Sequence, residues 1–198
     1  SALFLAFKAI NLKKNDKIIM PSINFVSSYN IAKLFGAKVF LADVDKNTGQ
    51  MRPKDILYCC KKFSLKKIKA LVVMYNGGYP QNADKFKQFK KKLGCIIIED
   101  ACHALGAEYF NKKKKYRIGS CKHSDISTFS LHPLKTITTG EGGIVTTNSK
   151  QYYNKIKKLR SLGIEKNNLS HWKYDVVCNG LNFRLTDFQC ALGISQLN

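Results

Sequence analysis

Residues 70–103 read ALVVMYNGGYPQNADKFKQFKKKLGCIIIEDACH, and the two apolar runs in this segment indicate the class of fold. The first run, Ala70–Tyr75, ends at Asn76-Gly77-Gly78, and the second run, Cys95–Ile98, ends at Glu99-Asp100. Between them, Ala83–Leu93 carries five lysines, which predicts an exposed helix that ends at Gly94. Short continuous apolar runs are typical of strands that are buried on both faces. The order of strand, helix and strand predicts a βαβ unit in a parallel sheet.

The same alternation continues on both sides of this segment. Further strands are predicted at Ile18–Met20, Lys38–Val44, Ile126–Ser130 and Gly143–Thr147, and further helices at 27–35, 53–62 and 150–162. Residues 107–118, with four lysines in the middle, are typical of an exposed hairpin. We therefore expect an α/β fold with a mostly parallel sheet between helices. Sites in such sheets lie at the carboxyl ends of strands, here Pro21–Phe25, Tyr75–Gly78, Glu99–His103 and Ser130–Lys135.

Composition narrows the class of protein. The chain has 198 residues, of which 44% are hydrophobic, so we do not expect a disordered protein. No apolar stretch reaches the length of a membrane span, and the first residues lack the basic segment of a signal peptide. Seven cysteines, several inside apolar runs, indicate reduced thiols and a cytoplasmic protein. We suspect that the chain is a fragment, because both of its ends fall within apolar helical runs.

The charge of the chain is strongly positive, with 34 basic and 13 acidic residues and a net charge of +21. The lysines are spread over many segments, and only four arginines are present. Proteins that read nucleic acids depend on arginine for bidentate contacts, so we expect a solvated lysine-rich surface and no nucleic-acid partner. Two Cys/His pairs, Cys102-His103 and Cys121-Lys122-His123, lack the spacing of zinc sites, and we expect no metal. His171 is expected at the surface or in packing.

Lys135 is the lysine most typical of an active site. It stands alone in the stretch Ser130-Leu131-His132-Pro133-Leu134-Lys135, whereas the other lysines come in runs. A lysine that is held out of water can act as an amine nucleophile. Ser130, the threonines at 136, 138 and 139 and the glycines at 140, 142 and 143 offer donors and close backbone approach to a phosphate. The alternative is a turn between strands with an exposed lysine.

Asp100 follows a fully apolar strand, so its carboxylate requires a cationic or protonated partner to remain ionised. The alternative is that Asp100 caps a following helix. A lysine, a carboxylate and a phosphate-binding hydroxyl together are typical of a pyridoxal 5'-phosphate site, in which the carboxylate keeps the pyridine nitrogen protonated. Phe25, at the end of the first strand, is a candidate for stacking on the cofactor, although taken by itself it is more typical of an ordinary core residue.

These residues carry a resemblance to a known family. The segments PSINFV (21–26), DVD (43–45), EDACHALGA (99–107), FSLHPLKTITTGEGG (129–143) and GLNFRLTD (180–187) occur in the order found in the DegT/DnrJ/EryC1/StrS family of pyridoxal-phosphate-dependent sugar aminotransferases. The resemblance implies the large domain of a fold type I transferase over residues 1–198, with a seven-stranded type of sheet. It also implies that this domain is truncated at both ends and lacks the smaller C-terminal domain.

The resemblance assigns roles to individual residues. Lys135 forms the internal aldimine and later moves a proton, Asp100 contacts the pyridine nitrogen, and His103 lies against the ring or its oxygen. Ser130 binds the phosphate, Phe25 stacks on the ring, and Ser1-Ala2 is the remnant of a phosphate-binding turn. Asn182 and Arg184 fall in the segment that reaches the cofactor phosphate of the neighbouring subunit in a homodimer. Tyr75 departs from the family pattern, because many relatives have histidine at that position.

The activity implied is transfer of an amino group from an amino acid, usually L-glutamate, to a nucleotide-linked 4-keto-6-deoxy sugar, as in the C4 transaminases of the pseudaminic acid route. Two alternatives remain open from the residues. One is a related cofactor-dependent sugar dehydratase, in which histidine replaces the aldimine lysine, whereas Lys135 is present here. The other is a basic nucleic-acid-binding module in which the motifs are coincidental.

Overall fold

The computed structural model describes residues 1–166 and 172–197, and His171 lies outside the described residues. The helices are α1 (Ala2–Ala9), α2 (Ser27–Leu34), α3 (Pro53–Lys62), α4 (Gln88–Leu93), α5 (Lys150–Arg160) and α6 (Asp187–Ile194). The strands are β1 (Lys17–Pro21), β2 (Lys38–Ala42), β3 (Ala70–Met74), β4 (Ile96–Asp100), β5 (Glu108–Asn111), β6 (Lys114–Arg117), β7 (Ile126–Ser130), β8 (Gly143–Thr146), β9 (Ile164–Lys166) and β10 (Tyr174–Val176).

The main sheet confirms the expected α/β class. Its strand order is β2-β1-β3-β4-β7-β8, and all neighbours are parallel except β7 and β8, which are antiparallel. The described residues therefore contribute six strands to this sheet, compared with the seven of the expected type. The hairpin predicted for residues 107–118 is formed by β5 and β6. A second small antiparallel pair, β9 and β10, lies after α5.

Alternation along the strands explains the two cores. In β3 and β4, side chains of successive residues point to opposite faces of the sheet. Leu71, Val73 and Ile97 pack on the face that is covered by α3 and α4. Ala70, Val72 and Ile98 pack on the other face, against residues of α1 and α2. Both faces are buried, which is why the strands have continuous apolar sequences.

One helix is shorter than predicted. The sequence predicts a helix over Ala83–Leu93, whereas the structure has a 3-10 turn at Lys85–Lys87 followed by α4. Asn82 adopts a left-handed φ of 61°, so the chain enters this region through a tight turn. Phe86 and Phe89 are both buried from this short segment. Their burial stabilises the region, and helical propensity contributes less.

The strand order reverses next to β1, and this locates the site. From β1 the chain goes to β2 on one side, and β3 then pairs with β1 on the other side. Connections therefore leave the carboxyl ends of β1 and β3 in opposite directions, which opens a crevice between them. The residues that follow these strands are 22–26 and 75–78. None of the helices in the described ranges has both the length and the hydropathy that a membrane span requires.

Candidate active site

Asp100 is the last residue of β4 and is almost completely buried. The Cys102 backbone N–H donates to Asp100 Oδ1 at 3.4 Å, which closes a turn. The element that follows β4 is the strand β5, so Asp100 caps a turn, as the alternative predicted, but this turn does not start a helix. Burial raises the pKa of the Asp100 carboxyl, while hydrogen bonds from Cys102 and the charges of His103 and Lys135 oppose this rise.

Lys135 lies in the loop that follows β7, and β7 is the neighbour of β4 in the sheet. This adjacency brings residues 100 and 135 to the same edge of the sheet, which the sequence alone does not establish. Both Asp100 and His103 are close enough to Lys135 for its charge to lower their pKa values. Lys135 itself is half-buried, and its backbone N–H donates to the His132 carbonyl at 2.9 Å. The side chains of Asp100, His103 and Lys135 therefore lie near one another.

His103 is held by the turn that follows β3. The backbone N–H of Gly77 donates to His103 Nδ1 at 3.3 Å, so Nδ1 is the acceptor and the ring proton lies on Nε2. Gly78 has a φ of +79°, and a side chain there would overlap the His103 carbonyl oxygen. Burial and the charge of Lys135 lower the pKa of His103, while Asp100 opposes them. His103 is therefore a neutral hydrogen-bond donor at neutral pH.

Several polar groups of the loop after β7 form hydrogen bonds with other residues of the same loop. The Thr138 hydroxyl donates to the Leu131 carbonyl at 3.0 Å, and the Thr139 hydroxyl donates to the Glu141 carbonyl at 2.8 Å. Our expectation that these two hydroxyls serve a phosphate is therefore wrong for this conformation. Ser130 Oγ accepts from the His132 N–H at 3.3 Å, and its hydroxyl hydrogen has no acceptor in the described chain. Ser130 remains able to donate to a ligand.

Phe25 extends from the segment after β1, beside the reversal in strand order, and is 71% exposed. An aromatic ring of this size at the carboxyl edge of a sheet has a large apolar face available to a ligand. The alternative of an ordinary core residue is therefore wrong. Stacking on a cofactor stays a prediction, supported by this exposure and by the position of Phe25.

Ser1, Ala2, Asn182 and Arg184 line one cavity of about 510 Å³. The cavity lies between the start of α1, the start of β8, one face of α5 and the segment before α6. Ser1 is the N-cap of α1 but makes no side-chain cap hydrogen bond, and α1 has no acidic residue in its first turn. Asp100, His103, Ser130, Lys135 and Phe25 do not line this cavity. The predicted site residues therefore form two groups. The ring group consists of Asp100, His103, Ser130, Lys135 and Phe25, and the cavity group consists of Ser1, Ala2, Asn182 and Arg184.

Two cations of this cavity, Lys157 and Arg160, are not among the residues predicted for the site. They occur in the lysine-rich segment of α5, where they look like other surface residues. The signal is helical spacing: Tyr153, Ile156, Lys157 and Arg160 lie at i, i+3, i+4 and i+7, so they share one helix face.

A second polar group that the sequence analysis missed lies on the opposite face of β4. Glu99 is buried and accepts hydrogen bonds from the Tyr75 hydroxyl at 2.9 Å and from the Ser127 hydroxyl. Burial raises the pKa of Glu99, and these hydrogen bonds oppose the rise. This group ties together the carboxyl-end region of β3, β4 itself and β7. It also explains Tyr75, whose side chain points away from the ring group.

The chemistry of the donor set fits pyridoxal phosphate. A buried carboxylate, a neutral imidazole, a half-buried lysine and an exposed aromatic ring stand at one sheet edge, with an unused hydroxyl beside them. The carboxylate at the base of the site has the surroundings that a protonated ring nitrogen requires. In the described ranges, no group of three or more potential metal ligands occurs. His123 instead contacts the Tyr109 hydroxyl, and Cys121 lies against Ser127.

Comparison with curated proteins identifies relatives over the whole chain. A UDP-4-amino-4,6-dideoxy-N-acetyl-beta-L-altrosamine transaminase of Campylobacter jejuni is 42% identical over 197 residues, which cover 100% of this chain and 50% of the relative. A GDP-perosamine synthase of Escherichia coli O157:H7 is 35% identical and is matched over 99% of this chain and 50% of the relative. The chain thus spans about half the length of the curated relatives that it matches.

Solved structures share the fold. Helicobacter pylori PseC, described as an aminotransferase involved in the biosynthesis of pseudoaminic acid, superposes with a TM-score of 0.82 at 29% identity, covering 99% of this chain and 51% of PseC. An aminotransferase from Psychrobacter cryohalolentis superposes with a TM-score of 0.85 at 28% identity, covering 99% of this chain and 49% of that enzyme. The family model of the DegT/DnrJ/EryC1/StrS aminotransferases matches residues 1–198, and the chain belongs to this family.

Proposed function

We propose that the protein containing this chain is a pyridoxal-phosphate-dependent aminotransferase that acts on a nucleotide-linked sugar. Its cofactor is pyridoxal 5'-phosphate. The observation that carries the proposal is the convergence of Asp100, His103 and Lys135 at one edge of the sheet. Membership of an aminotransferase family supports the proposal. Two relatives also support it, because one is named as a transaminase of a UDP-linked amino sugar and the other as a GDP-perosamine synthase.

The cofactor, when bound, supplies an electrophilic carbonyl carbon and a ring that accepts electrons. Lys135 would hold the cofactor through its Nζ, and once released its amine would be placed to accept or donate a proton. Asp100 keeps the ring nitrogen protonated, and its burial strengthens this electrostatic interaction. His103 can donate a hydrogen bond from Nε2–H to the ring or its oxygen, because its Nδ1 accepts from the Gly77 N–H.

The remaining predicted residues bind and orient the cofactor. Phe25 covers one face of the ring, and Ser130 donates to the phosphate. Ser1 and Ala2 lie at the start of α1, where no side chain caps the backbone N–H groups. These N–H groups bind the same phosphate, because N–H groups at a helix start attract anions. Asn182 and Arg184 reach the phosphate held by the neighbouring subunit. Residues 1–198 form the cofactor-binding large domain.

The proposal includes substrates, assembly and location. The donor is L-glutamate, and the acceptor is a UDP-linked 4-keto-6-deoxy-N-acetylhexosamine of the pseudaminic acid type, as the names of two relatives favour. The protein is a cytoplasmic homodimer. Helix α6 has no buried residue, and its apolar side chains Phe188 and Ile194 are 90% and 64% exposed. An apolar helix of this kind supports an interface with a second subunit.

The test uses the complete polypeptide incubated with one equivalent of pyridoxal phosphate, reduced with borohydride and mapped by mass spectrometry. We expect the pyridoxyl group on Lys135, with loss of the adduct in Lys135→Ala. Lys122→Ala, which removes an exposed lysine near the hairpin, is the matched control and should keep the adduct. Adducts spread over surface lysines without enrichment at Lys135 would contradict the proposal.

A second measurement tests the amino donor. With cofactor bound and no acceptor present, L-glutamate should release at most one 2-oxoglutarate per site, because the amino group has no further destination. Adding the keto sugar should allow continued release and should yield the amino sugar. Light scattering of the same preparation should give the mass of two chains.

A further inference from the structure

The cavity beside α1 contains two cations that the proposed cofactor site does not use, Lys157 and Arg160. Both are exposed, and neither takes part in an ion pair within the described residues, although several other lysines and arginines do. They lie one turn apart on the face of α5 that lines the cavity. Two unpaired cations on one wall attract an anion that offers two charged groups.

The rest of the lining agrees with an anionic ligand. Glu141 is the one carboxylate among the described lining residues, so the cations of the α5 wall exceed the negative charge of the lining. The volume of about 510 Å³ lies within the range of small-molecule pockets and exceeds what a single phosphate requires.

The position of the cavity separates it from the cofactor ring. Asp100, His103 and Lys135 do not line the cavity. The chain runs from Lys135 to Glu141–Gly143, which do line it, and this segment connects the ring group to the cavity. His132 Nε2 lies 3.8 Å from Glu141 Oε1 in this segment. A ligand that extends from the α5 wall past Glu141 therefore approaches the loop that carries Lys135.

We infer that Lys157 and Arg160 bind the diphosphate of a nucleoside-diphosphate substrate. This inference rests on the proposed function and names the residues that would hold the non-reacting part of its substrate. The two nucleotides named for relatives, UDP and GDP, differ in the base and share the diphosphate, which these side chains are suited to bind. The Arg160 guanidinium can bind one phosphate with two parallel hydrogen bonds, and the Lys157 ammonium adds a point charge for the other.

The experiment measures UDP binding to the complete, cofactor-loaded polypeptide by isothermal titration calorimetry at low and physiological salt. Lys157→Ala and Arg160→Ala should each raise the Kd for UDP at least about tenfold at low salt, and by less at physiological salt because surface charges are screened. Arg160→Lys should give an intermediate loss, since it keeps the charge without the fork. Lys150→Ala removes a lysine from the same helix outside the cavity and should change Kd less than about twofold.

Uridine binding and the borohydride adduct test two alternatives, recognition of the nucleoside and binding of the cofactor phosphate. Uridine binding should be insensitive to all these variants, because it carries no phosphate. Equal UDP affinity in Arg160→Ala, Lys157→Ala and Lys150→Ala would overturn the inference. Unchanged UDP binding with loss of the Lys135 adduct would also overturn it and would assign the cations to the cofactor phosphate. Failure of the proposed function has a different signature, absence of the adduct in the unmodified protein. Urea unfolding of each variant confirms that it is folded.

Discussion

Glu99 and Asp100 are consecutive carboxylates at the end of β4, yet they face opposite sides of the sheet and meet different partners. Asp100 faces the other residues of the ring group, among them the positively charged Lys135. Glu99 faces Tyr75 and Ser127, which offer hydroxyl donors and no cation. Burial raises the pKa of both carboxyls, but the charges that oppose this rise are found only at Asp100. The ring site is therefore distinguished by the positive charge of Lys135, whereas the Glu99 group holds neighbouring strands in position.

The raised pKa of Glu99 determines a pH dependence of stability. Above its ordinary value of 4.5 the unfolded chain loses the proton while the folded chain retains it, so the folded state binds more protons. The contribution of Glu99 is therefore fully present below pH 4.5 and is lost as the pH rises through the folded pKa. Glu99→Gln keeps the shape and removes this titration. We expect its unfolding free energy to be within about 0.5 kcal/mol of the unmodified protein at pH 4 and to exceed it increasingly toward pH 7.

Urea unfolding between pH 4 and pH 7 measures this difference. Glu108→Gln is a control of opposite sign, because hydrogen bonds from Lys115 and Arg117 lower the pKa of the Glu108 carboxyl. The stability that Glu108 contributes is lost as the pH falls, so this variant should approach the unmodified protein at acid pH. A Glu99→Gln difference that stays constant with pH would show that Glu99 does not titrate as described.

At the scale of elements, the turn after β3 positions the turn after β4. Gly77 donates to His103 Nδ1, and Gly78 packs against the His103 carbonyl oxygen. Gly77 and Gly78 both have positive φ, but a side chain on Gly77 would meet nothing within 4 Å. Alanine at Gly77 therefore costs only the left-handed backbone, about 1 kcal/mol, whereas alanine at Gly78 adds a steric clash and should cost clearly more. The contact between the turns accounts for the difference.

The position of His103 gives a second measurement for the same pair of variants. Partial loss of hydration is the largest cause that lowers the pKa of the otherwise exposed His103, so further displacement toward solvent should return the pKa toward 6.5. NMR titration of the imidazole should show a higher His103 pKa in Gly78→Ala and little change in Gly77→Ala, which keeps the donor N–H. Equal pKa values and equal stabilities in the two variants would mean that the turn does not position His103.

The sequence predicts elements better than it predicts neighbours. The apolar runs of β3 and β4 and the segment of α3, Pro53–Lys62, are found as predicted, because burial pattern and a proline at the helix start are local signals. The proximity of Asp100 and Lys135 depends on β4 pairing with β7 across the intervening hairpin, and no local signal encodes that choice. Helical spacing places Arg160 on one face of α5 with Lys157, but the cavity that this face lines is formed by segments distant in sequence, which no local pattern reveals.

At the scale of the whole molecule, the dominant feature is the excess of positive charge. The 13 acidic residues cannot neutralise 34 basic ones, and within residues 1–166 and 172–197 the observed ion pairs involve only a few of the lysines. A charge of +21 on a folded chain of this size produces repulsion that is smaller in the expanded unfolded chain. Salt screens this repulsion, because the Debye length falls from about 30 Å at 0.01 M to about 8 Å at 0.15 M.

We therefore expect the unfolding free energy of the protein to rise by about 1 kcal/mol or more when NaCl is raised from 0.01 M to 0.15 M, as measured by urea unfolding at pH 7. The double variant Lys66→Glu/Lys67→Glu replaces two neighbouring exposed lysines before β3 and should be more stable at low salt and gain less from added salt. Its matched control, Lys66→Arg/Lys67→Arg, keeps the charge and should follow the unmodified protein. A loss of stability on adding salt would mean that the ion pairs outweigh the repulsion, and the excess charge would then have no measurable cost to the fold.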